Sequence, residues 1–252
     1  MKKSGNTILI TGGGSGLGRE FARRFADQGN QVIVSGRRLD ALQETAAGPP
    51  NIVPIAADMD DGAGVKTFAS DLIARFPALN VVIANAGIMR YEDVTRGRDL
   101  TGAEETITTN LLGPIRLFDA LVDHLLQQPN AAIVTVSSGL AFVPMPATAT
   151  YCATKAAIHS YTVSLRQQLR GRVEVIELVP PGVQTDLTPG QSTREGYMPL
   201  QDYIDEAMSL FGQEPTPPEI LVERVKPLRN AEAEGRYGDV LGFLSQRQTA
   251  DS

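Results

Sequence analysis

The sequence contains a single cysteine and lacks any long apolar run. Cys152 has no second cysteine with which to form an internal disulfide, and there is no cysteine cluster of the kind that holds structural zinc. No apolar run approaches the roughly 20 residues of a membrane-spanning helix. The basic start MKKSGN is not followed by the apolar stretch of roughly 7–15 residues that marks a secretory signal. These absences predict a cytoplasmic protein without a membrane partner or a bound metal.

The chain also lacks an excess of basic residues. Lys and Arg number 23 against 29 Asp and Glu, which gives a formal net charge of −6. A broad nucleic-acid-binding surface needs clustered positive charge, so we expect no nucleic-acid partner. A chain of 252 residues with 42% hydrophobic residues commonly folds as one α/β unit. We therefore predict a single domain over 1–252.

What the sequence does contain is an alternation of short β-branched runs and longer segments with helical spacing. The runs are mostly continuous apolar strings, as expected for parallel strands that helices cover on both faces. This pattern predicts an α/β fold, a Rossmann-type doubly wound parallel sheet of about seven strands with helices on both faces. Pro54 has no N–H to donate to a neighbouring strand, so the strand that contains it should lie at an edge of the sheet. In the strand order 3-2-1-4-5-6, which is typical of this fold, the third strand is an edge strand. The predicted strands are 7–11, 32–35, 52–56, 81–84, 133–137 and 173–179.

The amino-acid composition changes at residues 183–218, which contain five prolines, three glycines and scattered apolar residues. A segment of this length without a clean period is usually either a mobile functional lid or an ordinary loop. Its position near the carboxyl ends of the strands, where doubly wound folds bind their ligands, favours a lid over the substrate.

A glycine-rich string, TGGGSGLG at 11–18, follows the first predicted strand and opens the first predicted helix. Gly12 would permit the tight turn, Gly16 the close approach of a pyrophosphate, and Gly18 the close packing of helix on strand. The unpaired N–H groups at the helix N-terminus would then face the phosphates. A flexible turn is the alternative, but the placement between strand and helix favours a dinucleotide-binding loop.

The second predicted strand ends in VSGRR, without the carboxylate that usually accepts hydrogen bonds from the ribose 2′-hydroxyl of NAD. Gly36 stands in its place, and Arg37 and Arg38 follow. A guanidinium group presents a planar fork of donors that suits a phosphate. These residues favour NADP(H) as the cofactor, with Ser15 as a further donor or as a helix cap. Two solvated surface arginines are the alternative.

Tyr151 and Lys155 are four residues apart in a predicted helix over 151–170, so their side chains lie on one helix face. A tyrosine with a pKa of about 10 is a poor acid–base catalyst at neutral pH, and a nearby cation favours its phenolate. Ser137-Ser138 closes the fifth predicted strand at its carboxyl end, where doubly wound sheets bind their ligands. Asn110 lies inside a long predicted helix over 101–128, where a buried amide needs a polar task. The predicted catalytic site consists of Asn110, Ser138, Tyr151 and Lys155. Alternatively, the Y-x-x-x-K spacing of Tyr151 and Lys155 marks only the edge of an amphipathic helix.

Together these motifs resemble those of the short-chain dehydrogenase/reductase family over about residues 6–188. The resemblance implies a Rossmann-type NAD(P)(H)-dependent oxidoreductase that acts on a carbonyl or an alcohol. The segments SSGLAFVP at 137–144 and IELVPPGVQTDL at 176–187 resemble a bacterial branch first named from cell-wall D-alanylation gene clusters. The residues that carry the family resemblance, in the family's order and spacing, are TGGGSGLG, Asp58, Asn85-Ala86-Gly87, Asn110, Ser138, Tyr151-x-x-x-Lys155 and Pro181-Gly182.

The resemblance also implies a role for each catalytic position. The residue matching Tyr151 is the acid–base, and the match to Lys155 lowers its pKa and binds the nicotinamide ribose. The match to Ser138 orients the substrate oxygen, and the match to Asn110 supports a water in the proton relay. The predicted cofactor-binding residues are Gly12, Gly14, Ser15, Gly16, Leu17, Gly18, Arg37, Arg38, Asp58, Met59, Asn85, Ala86, Gly87, Tyr151, Lys155, Pro181, Gly182, Val183 and Thr185.

Two functions fit this fold, an oxidoreductase and a cofactor-sensing regulator. Regulators of this kind typically lose the tyrosine or the lysine, so the presence of all four relay residues favours an enzyme. The phosphate-binding motif of a kinase is absent from the sequence. Arg90 is either a surface residue or a contact for an anionic substrate group. The expected substrate is a small or medium hydrophobic carbonyl or alcohol, because most crevice residues are apolar: Leu140, Phe142, Pro144, Met145, Val183 and Leu187.

The C-terminal stretch EGRYGDVLGFLSQRQ lacks the glycine-rich last strand that helps the family's long branch to build a tetramer. The predicted helices over 101–128 and 151–170 carry apolar residues beyond a single core stripe, and in similar proteins they pair across a two-fold axis. We therefore expect a homodimer. Cys152 and His159, on the helix of Tyr151, are interpreted as packing residues.

Overall fold

The structure, a computed structural model, describes residues 1–246. Its strands form one parallel sheet in the order β3-β2-β1-β4-β5-β6-β7, which confirms the predicted fold class and the predicted order of the first six strands. The strands are β1 (Thr7–Thr11), β2 (Gln31–Gly36), β3 (Ile52–Ala56), β4 (Leu79–Ala84), β5 (Ala132–Val136), β6 (Glu174–Leu178) and β7 (Glu219–Ile220). The helices are α1 (Gly16–Asp27), α2 (Leu39–Ala46), α3 (Gly62–Arg75), α4 (Thr101–Ile107), α5 (Gly113–Leu125), α6 (Ala149–Gln168), α7 (Leu200–Phe211), α8 (Lys226–Arg229) and α9 (Tyr237–Gln246).

The continuous apolar strings become strands because both of their faces are covered. Strands β4 and β5, in the middle of the sheet, are buried along their whole length. One apolar layer packs α1 and α7 on one face of the sheet, and a second packs α3 and α5 on the other. β-branched side chains suit such strands, because they fill a pleated surface well. Helices thus cover both faces of the sheet, and a cavity lies at the carboxyl ends of its strands.

Pro54 lies in β3, the edge strand, as its missing N–H predicts. It stands opposite Val34 of β2 in the parallel register. The N–H of Ala57 donates to the carbonyl of Gly36, so by alternation the nitrogen of Pro54 faces away from the neighbouring strand. The proline therefore removes no hydrogen bond from the ladder.

The long helix predicted over 101–128 is interrupted in the structure. Helix α4 runs into a π-helical turn at Thr108–Leu112, and α5 follows without a break. A π turn holds one more residue than an α turn and often occurs at functional sites. Asn110 lies in this turn. The sequence pattern does not reveal it, because the apolar spacing on either side is helical.

The segment 183–218 lies in two environments. Its first part follows β6 along the open edge of the sheet, and a bridge joins Val183 to Met198. From Leu200 the chain forms α7, whose Tyr203 and Phe211 are buried against Phe21 of α1. Only the first half of the segment is thus placed where a lid would act, because α7 belongs to the core.

The stretch after β7 consists of short helices joined by turns, as far as the structure describes it. α8 and α9 follow in turn, and a short cluster of Val143, Ala231 and Leu244 attaches them to the rest of the fold. The end of the atypical C-terminal stretch, residues 247 and 248, lies outside the described residues. None of the helices within residues 1–246 combines the length and the apolar character needed to cross a membrane.

We predict that Gly18→Ala destabilises the fold. A Cβ at Gly18 would overlap the backbone carbonyl of Gly12 and lie 2.6 Å from the amide nitrogen of Asn85. Backbone cannot move aside cheaply, so the expected loss in unfolding free energy is about 1–3 kcal/mol. Gly97→Ala is the matched control, because its Cβ would meet no atom of the described residues within 4 Å. Urea unfolding of both variants checks this, and equal midpoints would contradict it.

Candidate active site

A cavity of about 390 Å³ lies along the carboxyl edge of the sheet. Most predicted cofactor-binding and catalytic residues line it. They are Gly12, Gly14, Ser15, Gly16, Leu17, Arg37, Arg38, Asp58, Met59, Asn85, Ala86, Gly87, Ser138, Tyr151, Lys155, Pro181, Val183 and Thr185. Three predicted residues lie behind the wall instead. Gly18 packs against Gly12, Gly182 against the ring of Tyr197, and Asn110 behind Gly87.

The glycine loop approaches the end of β4 too closely for side chains. Gly12 has a φ of +67°, and a Cβ there would lie 2.8 Å from the Cα of Ala86. Gly16 has a φ of +50° at the first residue of α1. Both backbone conformations favour glycine over other residues. The string TGGGSGLG therefore forms a tight turn into a helix, as its spacing predicts.

The carbonyl groups of the glycine loop are held by side chains from elsewhere. Asn85 donates to the carbonyl of Thr11 at 3.0 Å, Thr45 to that of Gly13 at 2.8 Å, and Arg19 to that of Gly14 at 2.5 Å. Ser15 is the residue before α1, and its side chain makes no cap hydrogen bond. The first N–H groups of α1 thus have no side-chain cap at the cavity, and such a helix end suits a phosphate.

The wall beyond β2 is polar and exposed. Gly36, Arg37 and Arg38 line it, and the Arg37 side chain is 64% exposed. Its guanidinium group lies 3.7 Å from the Asp60 carboxylate, which also accepts a hydrogen bond from Thr109 at 2.8 Å. An exposed ion pair of this kind is weak, so Arg37 can turn toward a stronger anion.

Tyr151 and Lys155 lie in the first two turns of α6, buried at the carboxyl end of β5. The buried carboxylate of Glu92 holds this helix end, because it accepts hydrogen bonds from the N–H and the hydroxyl of Thr150, both at 2.7 Å. Burial raises the pKa of the Glu92 carboxyl, but the bonds from Thr150 and the cation of Arg98 outweigh it and the net shift is downward. Glu92 therefore acts as an ionised anchor for the helix that carries the tyrosine.

Lys155 is buried and forms no ion pair in the described part of the chain. Its Nζ donates to the carbonyl of Val136 at 2.8 Å and lies 5.5 Å from the centre of the Tyr151 ring. Burial lowers the pKa of Lys155 to about 8. The ammonium is thus held at the end of β5 by one neutral acceptor.

The pKa of Tyr151 shifts in the direction opposite to the one that its pairing with Lys155 predicts. Burial raises the pKa well above its ordinary value, and a hydrogen bond with Ser138 opposes the rise only in part. The Ser138 hydroxyl also accepts the N–H of Leu140 at 3.1 Å, which fixes its position. Desolvation of the phenol outweighs this hydrogen bond, so Tyr151 keeps its proton at neutral pH.

Asn110 connects the π turn to the loop after β4. Its amide oxygen accepts the N–H of Ile88, and its amide nitrogen donates to the Ile88 carbonyl, both at 2.8 Å. The nitrogen also donates to Thr154 at 3.3 Å, and the Thr154 hydroxyl donates to the carbonyl of Tyr151. The polar task of this buried amide is therefore to tie the loop of Ile88 to the helix of Tyr151.

Comparison with known proteins identifies the group to which this site belongs. Residues 6–196 match the family model of short chain dehydrogenases. The chain is 40% identical to the oxidoreductase DltE of Bacillus subtilis over 92% of this chain and 93% of that relative. The chain belongs to the short-chain dehydrogenase family. The similarity to DltE also agrees with the bacterial branch predicted from the segments 137–144 and 176–187.

Solved structures of other short-chain dehydrogenases share the fold. An enzyme from Burkholderia cenocepacia in complex with NADP superposes with a TM-score of 0.83 at 24% identity, over 96% of this chain and 99% of that one. One from Sphingobium yanoikuyae in complex with NADPH gives 0.80 at 24% identity, over 93% and 94%. A 3-ketoacyl-(acyl-carrier-protein) reductase from Brucella melitensis complexed with NADH gives 0.76 at 24% identity, over 85% and 93%.

The structure also shows contacts in the short-chain dehydrogenase site that the sequence patterns do not reveal. Gln191 is buried in the wall, where its side chain donates to the carbonyl of Val183 at 2.9 Å and to Thr185 at 3.2 Å, and accepts from Thr188 at 2.9 Å. Ser137 is buried in the wall, and its hydroxyl has no hydrogen-bond partner among the described residues. Gln191 belongs to no motif in the sequence, and the missing partner of the Ser137 hydroxyl is visible only in the fold.

His159 and Cys152 lie on α6 away from the cavity wall. The interpretation of His159 as a packing residue is incomplete, because its Nδ1 lies 2.9 Å from the fully buried Glu177 carboxylate. Glu219 lies close to both, and Arg229 binds its two oxygens at 2.8 and 3.0 Å. A metal ion would have to compete with the guanidinium group of Arg229. Cys152 is buried beside Met145, as a packing role predicts.

We predict that Lys155→Met changes how stability depends on pH. The pKa of Lys155 is about 8 in the folded chain and about 10.4 in an unfolded one, so the unfolded chain binds more protons between these values. The wild type should therefore gain unfolding free energy relative to Lys155→Met as the pH rises from about 8 to about 10, on the order of 2 kcal/mol. Urea unfolding across this range measures the difference. Parallel curves for the two proteins would contradict it.

Proposed function

We propose that this short-chain dehydrogenase is an NADP(H)-dependent oxidoreductase that acts on the CH–OH group of an alcohol or, in reverse, on a carbonyl. The observation that carries the proposal is the meeting of Ser138, Tyr151 and Lys155 in one buried part of the same cavity that the glycine loop lines. A regulator that only senses a nucleotide has no need of a buried phenol and ammonium there. All four relay residues are present, which supports an enzyme.

The residues of the cavity fit a dinucleotide. The end of α1 and the glycine loop would hold the pyrophosphate, and Arg37 and Arg38 would meet a 2′-phosphate. The unpartnered hydroxyl of Ser137 is a buried polar group that a bound cofactor would satisfy. The cofactor would supply the hydride, and the chain would supply orientation and the proton.

The proton in carbonyl reduction would come from Tyr151. Ser138 is fixed by Leu140 and hydrogen-bonded to Tyr151, so both hydroxyls can bind one substrate oxygen. A phenol with a raised pKa holds its proton at neutral pH, which suits an acid that acts as negative charge develops on that oxygen. Lys155 would stabilise the tyrosinate that remains after the transfer, and Asn110 would keep the helix of Tyr151 in register with the loop of Ile88.

Assembly as a homodimer through α4, α5 and α6 is also part of the proposal. Ile107 at the end of α4, Leu112 in the π turn and Val163 on α6 are exposed apolar residues. Helix α4 packs beside α6, so the three belong to neighbouring surface elements. Burying these residues against a second copy is favourable because it removes apolar surface from contact with water.

Replacing the phenol tests its role as the acid. Tyr151→Phe keeps the ring and removes the transferable proton, so kcat should fall by roughly 10²–10⁴-fold. NADPH binding, followed by fluorescence titration, should be largely retained. A Phe variant that turns over at nearly the wild-type rate would contradict the assignment.

Exchanging the residues after β2 tests cofactor choice. A charge-assisted contact between Arg37 and a phosphate contributes about 1.5–3 kcal/mol, which amounts to roughly 10–150-fold in kcat/KM for NADPH over NADH. Gly36→Asp/Arg37→Ala should swing the preference toward NADH. A Cβ at Gly36 meets only ordinary contact distances, so the double variant tests charge rather than packing.

Ionic strength provides the control for this exchange. Because Arg37 is exposed, the wild-type preference should shrink at high salt. Equal kcat/KM for both cofactors in the wild type, or an unchanged preference in the double variant, would show that the arginines do not contact the cofactor.

Light scattering tests assembly. We expect a dimer mass at micromolar concentration and a shift toward monomer in Ile107→Arg/Val163→Arg. Val94→Arg is the matched control, since Val94 is exposed but lies in the loop after β4 rather than on these helices. A wild type that runs as a monomer would overturn the proposal.

A further inference from the structure

Two loops flank the helix end that carries Tyr151. The first follows β4, and Glu92 ties it to Thr150, the residue before Tyr151. The N–H of Glu92 also donates to the carbonyl of Ala147 at 2.8 Å. Tyr91, the residue before Glu92, is therefore held beside the opening over Tyr151, although its own side chain is exposed.

The second loop follows β6 and is fixed by backbone hydrogen bonds. Met198 donates to the carbonyl of Gly182 at 2.8 Å, and the N–H of Gln184 donates to the carbonyl of Met198 at 2.9 Å. The ring of Tyr197 consequently lies on Gly182, where a Cβ would stand 3.1 Å from the nearest ring carbon. Tyr197 is also close enough to Tyr151 to add to the rise in its pKa.

Arg194 joins the two loops. Its guanidinium group donates to the hydroxyl of Tyr91 at 2.8 Å and lies 5.4 Å from the centre of the Tyr197 ring. A hydrogen bond with Tyr197 adds to this arrangement, and the bond to Tyr91 raises the pKa of Arg194. A permanent positive charge is thus positioned between the two segments that border the opening over Tyr151.

One side of Tyr151 packs in an apolar cluster, apart from Ser138 and Lys155. Met145 and Cys152 pack against the tyrosine, and Met89 and Leu140 pack around them. Arg90, which the sequence leaves either as a surface residue or as a contact for an anionic group, pairs with Glu105 on α4. Tyr151 therefore has an apolar cluster on one side, and the cation of Arg194 lies between the two loops that flank its helix end.

We propose that Arg194, with Tyr91 and Tyr197, is a specificity-determining cluster that binds an anionic group, a carboxylate, on the carbonyl substrate. The proposal rests on the proposed function and names its substrate class: an oxo acid or aldehyde acid with an apolar body. A guanidinium fork matches the two oxygens of a carboxylate, and two phenol hydroxyls beside it add donors. The apolar body would contact Met89, Leu140 and Met145.

Matched aldehydes test this inference. The probes are 2-, 3- and 4-carboxybenzaldehyde and their methyl esters, which share one reactive group and place the charge at three distances from it. For at least one isomer the acid should exceed its ester in kcat/KM by roughly 10–150-fold, the range of one charge-assisted hydrogen bond. Arg194→Gln should abolish the preference, Arg194→Lys should retain part of it, and added salt should weaken it.

The matched control is Arg96→Gln, which removes an exposed arginine of the first loop that is paired with Asp93. It should keep the full preference for the acid. Esters reduced as well as acids by the wild type, or a preference that survives Arg194→Gln, would overturn the inference and leave the proposed function standing.

A binding measurement separates the two proposals. Calorimetry on the NADPH complex with the unreactive alcohols 2-, 3- and 4-(hydroxymethyl)benzoate and their methyl esters needs no turnover. Tighter binding of at least one acid than of its ester, lost in Arg194→Gln, would support the cluster even if no aldehyde were reduced, in which case the proposed function would fail. Equal binding of every acid and its ester would overturn the cluster whatever the activity.

Discussion

The close contact between the glycine loop and the end of β4 is the constraint on which the cavity depends. The Thr11 hydroxyl accepts the N–H of Ala86 at 3.0 Å, and the Thr11 carbonyl accepts the side-chain amide of Asn85 at the same distance. Gly12 lies so near Ala86 that no side chain fits between them. These contacts join β1 to β4 where the order of strands reverses, and ligands bind at such a point in doubly wound sheets. The contacts fix the glycine loop relative to Asn85-Ala86-Gly87.

The two ends of the cavity differ in their exposure to water, and each end therefore suits a different kind of interaction. Tyr151 and Lys155 are buried, so desolvation controls their pKa values and interactions there are strong. Arg37 is exposed, so its contact with an anion depends on ionic strength. One end thus suits proton transfer, and the other suits selection between two cofactors that differ by a phosphate.

Much of this fold is predictable because it follows from local patterns. Continuous apolar strings, the glycine string and Pro54 each carry their own physical reason, and together they predict the strand order. The positions of Tyr151 and Lys155 on one face follow from helical spacing alone. The direction of the Tyr151 pKa does not, because it depends on how many side chains bury the phenol.

The features that sequence reasoning misses depend on contacts between distant segments. Glu92 anchors α6 from 58 residues away, and Arg194 reaches Tyr91 across 103 residues. Neither residue belongs to a periodic pattern, and exposed arginines elsewhere in the sequence look identical to Arg194. The π turn at Asn110 is also invisible, since one extra residue in a helix leaves the apolar spacing on each side intact.

Pro54 has a consequence for how copies of this chain can meet. An edge strand with free N–H groups is a template on which another chain can add a strand and begin to aggregate. The nitrogen of Pro54 faces outward from β3 and offers no donor there, and the opposite edge, β7, is only two residues long. Neither margin of the sheet can support a continuous ladder with a second molecule. Both margins of the sheet thus disfavour the addition of a strand from another molecule.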